Sequence, residues 1–286
     1  MSQDIDELDH LLTYVQDLDA AAQAYARLGF RPTPLSDITS MGIVNRLIPM
    51  RPRTPGAANF IELMAVRDAS RLPDAMRPIL SGRQGIKSMV MMSRDVAATH
   101  ARLTERGYPF APPAHIRREW AIPGEGSVWP EFDVLLPIPA PLAFNVCQYH
   151  NVELYLREDW LEHPNGAQHM LACLAVSSDP AATIGYFAKL FGREARRDAD
   201  GGQAVSPGAT DLVVYDPQAF AERYGITPAQ GADARFAGYR VAVRSLADLR
   251  GLLARNQVAH EDAGERILVG PDAACGNLIE FVELGV

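Results

Sequence analysis

The sequence repeats one pattern four times, and this repeat constrains the fold more than any other feature. Each copy has an apolar segment, a short polar turn and a segment with helical spacing of apolar residues, which predicts a strand followed by a capped helix. Because one such unit cannot cover its own apolar face, the copies must pack against one another. The four copies are LDHLLTYVQDLDAAAQAYARLGF (8–30), GIKSMVMMSRDVAATHARLTERGY (85–108), MLACLAVSSDPAATIGYFAKLFG (170–192) and AGYRVAVRSLADLRGLLARNQ (237–257).

Shorter apolar segments follow each predicted helix and are typical of strands. The repeating unit is therefore a strand, a helix and about three strands, and the fold class is α+β with four βαβββ modules. At 286 residues the chain suits two domains, each built from two modules. We expect a first domain at 1–150, a linker at 151–166 and a second domain at 167–286. The later strands are predicted at 43–50, 59–66, 128–138, 142–149, 211–216, 266–270 and 277–284.

Composition narrows the classes of function. The net charge of −8 provides no basic field for nucleic acid or an anionic membrane. No apolar stretch is long enough to span a bilayer, and the acidic first ten residues do not resemble a signal or transit peptide. Cys147, Cys173 and Cys275 lie apart among apolar neighbours, which indicates buried, reduced thiols. We expect a cytoplasmic protein whose partner is a small molecule.

The modules resemble those of the vicinal oxygen chelate (VOC) superfamily, which includes glyoxalase I, bleomycin-resistance proteins and extradiol dioxygenases. The residues that carry the resemblance are 8–30 followed by GIVNRLIPM and NFIELMAV, and NLIEFVEL near the C-terminus. The stretch CQYHNVELYLREDWLEHPNGA also resembles the segment between domains in a glyoxalase-like subgroup. The resemblance implies that paired modules form two barrel-like domains, each around a cavity.

The resemblance also implies a divalent metal in a cavity, held by the first and last strands of two paired modules. In the first module these positions fall on His10 and Glu62, whose ligand types suit Zn, Fe, Mn, Ni or Co. In the second module they fall on Ser88 and Asn145, which are poor ligands for such metals. A hydrogen-bonded pair of His10 and Glu62 without metal stays open as the alternative.

The second domain matches this pattern less well. Glu280 aligns with Glu62, and His169 lies close to the other position, so these two residues form a second candidate metal site. The third module places Leu171 and Val214 at the corresponding positions, where neither side chain can bind a metal. The alternative is that Glu280 and His169 have purely structural partners.

Ligand-contacting residues follow from the alternation of side chains along the strands. Either Asn45 or Arg46 must point into the first cavity, and the loop that contains Arg117 and Arg118 should lie near its mouth, in solvent or as an anion clamp. The histidines at 100, 115, 163 and 260 are expected at the surface or in loops rather than as ligands. The candidate ligand contacts are Tyr14, Asn45, Arg46, Trp120, Trp129, Asn145 and His150.

Two functions are compatible with these residues. The first is a metal-dependent lyase, isomerase or dioxygenase that stabilises an enolate or oxyanion, with Glu62 as catalytic base. The second is a metal-free protein that binds or sequesters a small molecule, similar to bleomycin-resistance proteins. A shared fold does not decide between them. The sequence leaves open the substrate, the reaction and whether the protein is a homodimer.

Overall fold

The computed structural model of the protein describes residues 4–228 and 233–285. These residues form two large curled sheets of eight strands each, one hairpin and six α-helices. The helices are α1 (Leu18–Arg27), α2 (Val96–Glu105), α3 (Glu158–Leu161), α4 (Pro180–Phe191), α5 (Pro217–Tyr224) and α6 (Leu246–Arg255). The strands are β1 (Glu7–Tyr14), β2 (Ser36–Ile38), β3 (Ile43–Pro49), β4 (Phe60–Val66), β5 (Gly85–Met92), β6 (Ala114–Arg117), β7 (Trp120–Ile122), β8 (Gly126–Val128), β9 (Glu131–Leu135), β10 (Phe144–Tyr149), β11 (Ala167–Val176), β12 (Arg196–Arg197), β13 (Gln203–Val205), β14 (Asp211–Tyr215), β15 (Arg235–Val243), β16 (Glu261–Asp262), β17 (Arg266–Val269) and β18 (Leu278–Glu283).

The two large sheets have the same topology. Their strand orders are β2-β3-β4-β1-β5-β10-β9-β6 and β12-β13-β14-β11-β15-β18-β17-β16. In each sheet the first strands of two modules lie side by side and antiparallel, and each of them pairs in parallel with a later strand of its own module. This arrangement confirms the predicted α+β class and the pairing of four modules into two curled sheets.

Local signals explain why each module begins with a strand and a capped helix. The Asp17 side chain accepts hydrogen bonds from two backbone N–H groups at the start of α1, and Asp95, Asp179 and Ser245 cap α2, α4 and α6. After α1, Gly29 has a φ of +81°, which favours glycine, and a Cβ there would also come within 2.8 Å of the Asn165 Cβ. These contacts fix where α1, α2, α4 and α6 start and where α1 stops.

The helix-covered faces of the two sheets share one hydrophobic core. Near its centre the hydroxyl groups of Tyr25 on α1 and Tyr239 on β15 are 2.7 Å apart, and both side chains are buried. The buried carboxyl group of Glu7 on β1 accepts hydrogen bonds from the backbone N–H groups of Ala209 and Thr210. The two halves of the chain therefore stabilise each other, while the concave face of each sheet points away from this core.

The segment between the two sheets packs against the first half. The backbone N–H of Asn165 donates to the carbonyl oxygen of Gly29 at 3.1 Å. The first sheet uses strands between Glu7 and Tyr149, and the second uses strands between Ala167 and Glu283. Domain limits at 150 and 166 stay a prediction. No helix among the described residues is long and apolar enough to cross a membrane.

Candidate functional site

The concave face of the first sheet lines a cavity. About 650 Å³ of space there is free of protein atoms, part of it open to solvent. Because side chains alternate along a strand, every second residue of β1, β4, β9 and β10 faces this space. Most of the wall is apolar, including Leu12, Leu47, Met64, Val90, Phe132 and Val134.

His10 stands in this wall in a fixed orientation. Its Nδ1 lies 2.7 Å from Oδ1 of Asp9, and its ring stacks on Phe60 with centroids 3.9 Å apart. Asp9 is fully buried and also accepts hydrogen bonds from the hydroxyl of Tyr149 and the backbone N–H of Ala58. In the neutral imidazole, donation from Nδ1–H to Asp9 leaves the lone pair on Nε2.

Glu62 faces His10 across the cavity wall. Its Oε2 lies 3.8 Å from Nε2 of His10, and its Oε1 accepts a 2.5 Å hydrogen bond from the side-chain amide of Asn45. Asn45 in turn accepts a hydrogen bond from Nη1 of Arg118 at 3.3 Å. The side chains of Arg118, Asn45 and Glu62 therefore form one connected polar chain inside an otherwise apolar cavity.

Arg118 is the cationic group of the cavity, and it directly contacts no acidic side chain within residues 4–228 and 233–285. Its residue exposure is 5%, and no acidic oxygen of the described residues lies within 4.0 Å of its guanidinium nitrogens. The guanidinium lies 5.1 Å from the ring centre of Trp120 and 5.9 Å from that of Tyr155. Burial raises the pKa of Tyr155 to about 12, although the Arg118 cation opposes the rise. A buried cation without a counter-ion is unfavourable unless a ligand supplies one.

The remaining polar residues of the cavity are neutral. Ser88 Oγ donates a 2.7 Å hydrogen bond to Oδ1 of Asn145, and both residues are buried. Cys147, which also faces the cavity, has a pKa raised by burial and by the nearby Asp9 and Glu62. A thiol in this setting stays protonated and is a poor nucleophile. Of the other cysteines, Cys173 is buried, whereas Cys275 is only half-buried, in contrast to the expectation.

The donor set supplies half of the metal site that the VOC resemblance implies. His10 and Glu62 fit it, because Nε2 and Oε2 face each other and Asp9 orients the imidazole, as carboxylates do for metal-binding histidines. Ser88 and Asn145 do not, because they are neutral and bonded to each other. Two protein ligands are fewer than the three that catalytic zinc sites usually have.

The structure brings only some of the predicted ligand contacts together. Asn45 and Asn145 face the cavity with His10 and Glu62. The other five lie elsewhere. Arg46 points outward to Asp19, and Tyr14 packs beyond the cavity at the end of β1. Trp120 is buried beneath Arg118, Trp129 is 42% exposed under Arg117, and His150 forms a hydrogen bond with Asp133.

The second sheet places its candidate residues differently. Glu280 faces the concave side with no exposure, and its oxygens accept hydrogen bonds from Arg223, Arg240 and Tyr224 at 2.7 to 3.1 Å. His169 instead lies against the first half of the chain, where its Nδ1 is 2.7 Å from the carbonyl oxygen of Arg51. The structure therefore gives Glu280 three cationic partners within 4.0 Å, with Arg266 at 3.9 Å as the third, and does not bring it together with His169.

The third module also differs from the predicted register. Leu174 and Val213 face the concave side of the second sheet, whereas Val214 packs into the shared core. Register irregularities in β11 on either side of Met170 displace Leu171 from the expected alternation. Ala172 rather than Leu171, and Val213 rather than its neighbour Val214, therefore lie on the concave side, and both side chains are apolar.

Sequence reasoning missed Asp9, Tyr149 and Tyr155, which support the cavity residues, and it left Arg118 undecided. Asp9 could have been predicted from the sequence, because an acid next to a candidate ligand histidine commonly orients its imidazole. Tyr155 carried none, since it reaches the cavity from the segment between the two sheets.

Comparisons with known proteins agree with this architecture. Residues 8–191 match a family model described as a glyoxalase-like domain. A hypothetical protein from Staphylococcus aureus is 12% identical, with a TM-score of 0.65 over 96% of this chain and 98% of that chain. A variant of 4-hydroxymandelate synthase from Streptomyces coelicolor is 10% identical, with a TM-score of 0.57 over 98% and 92%.

A variant of Streptomyces coelicolor methylmalonyl-CoA epimerase covers 52% of this chain and 97% of its own, at 17% identity and a TM-score of 0.38. No curated protein sequence matches the chain significantly. At these identities, the similarity to the two full-length structures shows the fold alone, and the epimerase similarity is too low to carry an argument.

Proposed function

Because the chain belongs to the glyoxalase-like domain family, we propose that it binds a small organic acid in the cavity of the first sheet. The observation that carries this proposal is Arg118, a buried guanidinium without a carboxylate within 4.0 Å among the described residues. A ligand carboxylate would supply the missing charge and accept two hydrogen bonds from the planar guanidinium.

The rest of the cavity suits the apolar part of such a ligand. Its walls are aliphatic and aromatic, and its polar groups cluster at Arg118, Asn45, Glu62 and His10. Ligand sites usually combine apolar walls with a few convergent polar groups that fix the orientation. We therefore expect a carboxylate at one end of the ligand and a hydrocarbon or aromatic body at the other.

In the proposed reaction, Glu62 and His10 would move a proton on the bound acid. Oε2 of Glu62 and Nε2 of His10 are 3.8 Å apart and face the same space, and the hydrogen bonds from Asn45 and to Asp9 hold both side chains. Removal of a proton next to a carbonyl group produces an enolate, whose charge the Arg118 cation would stabilise. In this function Glu62 is the catalytic base and His10 is its partner in proton transfer.

A metal-dependent lyase, isomerase or dioxygenase is the second candidate. The hydrogen bond between Asp9 and Nδ1 of His10 favours it, because this contact leaves Nε2 available as a ligand. A divalent ion held by His10 and Glu62 would act as a Lewis acid toward an oxyanion. The neutral pair of Ser88 and Asn145 weighs against it.

Simple sequestration is the third reading of the same cavity, with binding but no reaction. It shares the ligand class with the enzyme hypothesis and differs only in the role of Glu62. A proton-exchange assay separates the two, because wild type would exchange the acidic C–H of a bound acid with deuterium from D₂O and Glu62→Gln would not. Binding without exchange by either protein favours sequestration.

The test of ligand class compares small carboxylic acids with their uncharged amides by thermal shift and calorimetry. We expect acids to bind and amides to bind at least about tenfold more weakly, since a hydrogen bond to a charged group contributes about 1.5 to 3 kcal/mol. Arg118→Met should abolish this preference and Arg118→Lys should retain part of it. Arg117→Met is the matched control, because that neighbouring arginine is exposed and lies over Trp129. Equal binding of acids and amides by wild type would refute the proposal.

The test of metal dependence is elemental analysis after loading with Zn, Fe, Mn, Ni or Co. It compares wild type with His10→Ala and Glu62→Ala. Metal content that falls in both variants supports the second candidate. If His10 and Glu62 together account for less than about a tenth of an equivalent of bound metal per protein, the metal-dependent function is refuted.

A further inference from the structure

A separate group of side chains with the chemistry of metal ligands lies on the opposite face of the first sheet. His115 on β6, Asp133 on β9 and His150 just after β10 each offer one ligand atom, and these atoms lie within 4.8 Å of one another. No other group of three His, Cys, Asp or Glu residues meets this criterion within residues 4–228 and 233–285. Phe132 and Val134 line the cavity, so Asp133 between them points to the outer face.

The sheet holds these three residues in place. His115 and Asp133 are directly opposite each other in the antiparallel pairing of β6 and β9. The backbone N–H of His150 donates to the carbonyl oxygen of Glu131, which fixes the end of β10 beside β9. Side chains on neighbouring strands of a hydrogen-bonded sheet need little reorganisation to bind one ion.

The hydrogen bonds around Asp133 are the contacts that a cation would replace. Its two oxygens lie 2.7 Å from Nδ1 of His115 and 2.9 Å from Nε2 of His150. If Nδ1 of His115 binds a metal, the proton moves to Nε2, which lies 3.2 Å from Oε1 of Glu131. Glu131 then accepts the outer N–H of a ligating imidazole, as outer carboxylates do in metal sites.

We propose that His115, Asp133 and His150 form a binding site for a divalent transition metal ion, with Zn²⁺ as the preferred probe. Two imidazoles and one carboxylate are typical zinc ligands, whereas Mg²⁺ and Ca²⁺ prefer all-oxygen sites. The side chains of His115 and His150 are 54% and 36% exposed, so an ion can enter from solvent and retain water as a further ligand.

The position of the site gives it a structural consequence. β6 is the edge strand of the first sheet, and the three ligands connect it to β9 and β10. β6 also leads directly into Arg118, the buried cation of the cavity. A bound ion would therefore hold in place the strand that precedes Arg118. The metal site itself does not depend on the proposed function of the cavity.

The test is a calorimetric titration of the metal-free protein with Zn²⁺ at neutral pH. We expect one saturable site, weakened at least about tenfold in His115→Gln, His150→Gln and Asp133→Asn, and about tenfold in Glu131→Gln. His100→Gln is the control, because His100 lies on α2, outside the group of three ligands, and its Nε2 is 3.1 Å from the carbonyl oxygen of Phe110. The same affinity is expected in His100→Gln and wild type.

His10→Gln separates this site from one in the cavity. Unchanged Zn²⁺ affinity in His10→Gln supports the outer site. Loss of binding in His10→Gln with full binding in His115→Gln would place the metal in the cavity and overturn the proposal. The absence of saturable binding below about 1 mM Zn²⁺ in wild type would also overturn it.

Discussion

His163 ties the segment between the two sheets to the first half of the chain, and it does so as a neutral ring. Its Nε2–H donates to the carbonyl oxygen of Pro49 at 2.7 Å, and its Nδ1 accepts from the backbone N–H of Arg31 at 3.0 Å. The residue is 2% exposed. Burial lowers the pKa of His163 to about 4, and this effect outweighs the bond to Pro49, which acts in the opposite direction.

This pKa makes stability depend on pH with a defined sign. In the unfolded chain the pKa of His163 is near 6.5, so between about pH 4 and 6.5 the unfolded state binds more protons than the folded state. The free energy of unfolding therefore falls as the pH falls through this window. The difference between about 6.5 and about 4 corresponds to roughly 3 kcal/mol, fully present above pH 6.5 and lost near pH 4.

Urea unfolding between pH 4.5 and 7.5 measures this contribution by comparison with His163→Gln. Other titrating groups act equally in both proteins, so the difference between their pH slopes isolates His163. We expect wild type to lose up to about 1.4 kcal/mol more per pH unit than the variant below pH 6. His260→Gln, at a partly exposed histidine, should keep the wild-type slope. Parallel curves for wild type and His163→Gln would refute the neutral, buried assignment.

Three further substitutions test the packing. Glu280→Gln should lower the free energy of unfolding by about 3 to 5 kcal/mol in chemical denaturation, because it leaves buried arginines without their acid. Glu162→Gln is the control, and because its ion pair is exposed it should lower the free energy of unfolding only slightly. Tyr25→Phe should cost about 1 to 2 kcal/mol by the same measurement, since it removes a hydrogen bond between the two halves. Arg118→Met should leave the ligand-free protein as stable as wild type, or stabilise it by up to about 2 kcal/mol, in thermal unfolding. A loss of stability above about 1 kcal/mol would contradict the view that Arg118 is a buried cation without a counter-ion.

Local patterns were enough to predict the frame of the fold. The first strand and helix of every module follow from apolar spacing and a capping side chain such as Asp17, which act within a few residues of sequence. The alternation of Asn45 and Arg46 was also predictable in part, because only one of two neighbours on a strand can face the cavity, and the structure selects Asn45.

Long-range packing decided what the sequence left open. His163 lies in a loop, one of the two settings expected from its polar neighbours, but it is not exposed, because its ring packs against the first half and bonds two backbone groups there. The helix α5 was missed although Asp216, Pro217 and Gly225 provide its cap, first turn and end. Short strands such as β12 and β13 were missed because segments of two or three residues have no readable period.

The two sheets provide an internal comparison for the role of Arg118. On the concave side of the second sheet, Arg223 and Arg240 contact Glu280 at 2.7 and 2.8 Å, and Phe220 and Tyr224 of α5 pack over the same face. The same architecture can therefore pair arginines with acids and fill the concave side with its own side chains. On the first sheet it does neither, because Arg118 has no acid within 4.0 Å among the described residues and a cavity stays open beside it. Since an uncompensated buried cation costs stability, its presence beside the open cavity favours the first sheet as the one that binds an anionic ligand.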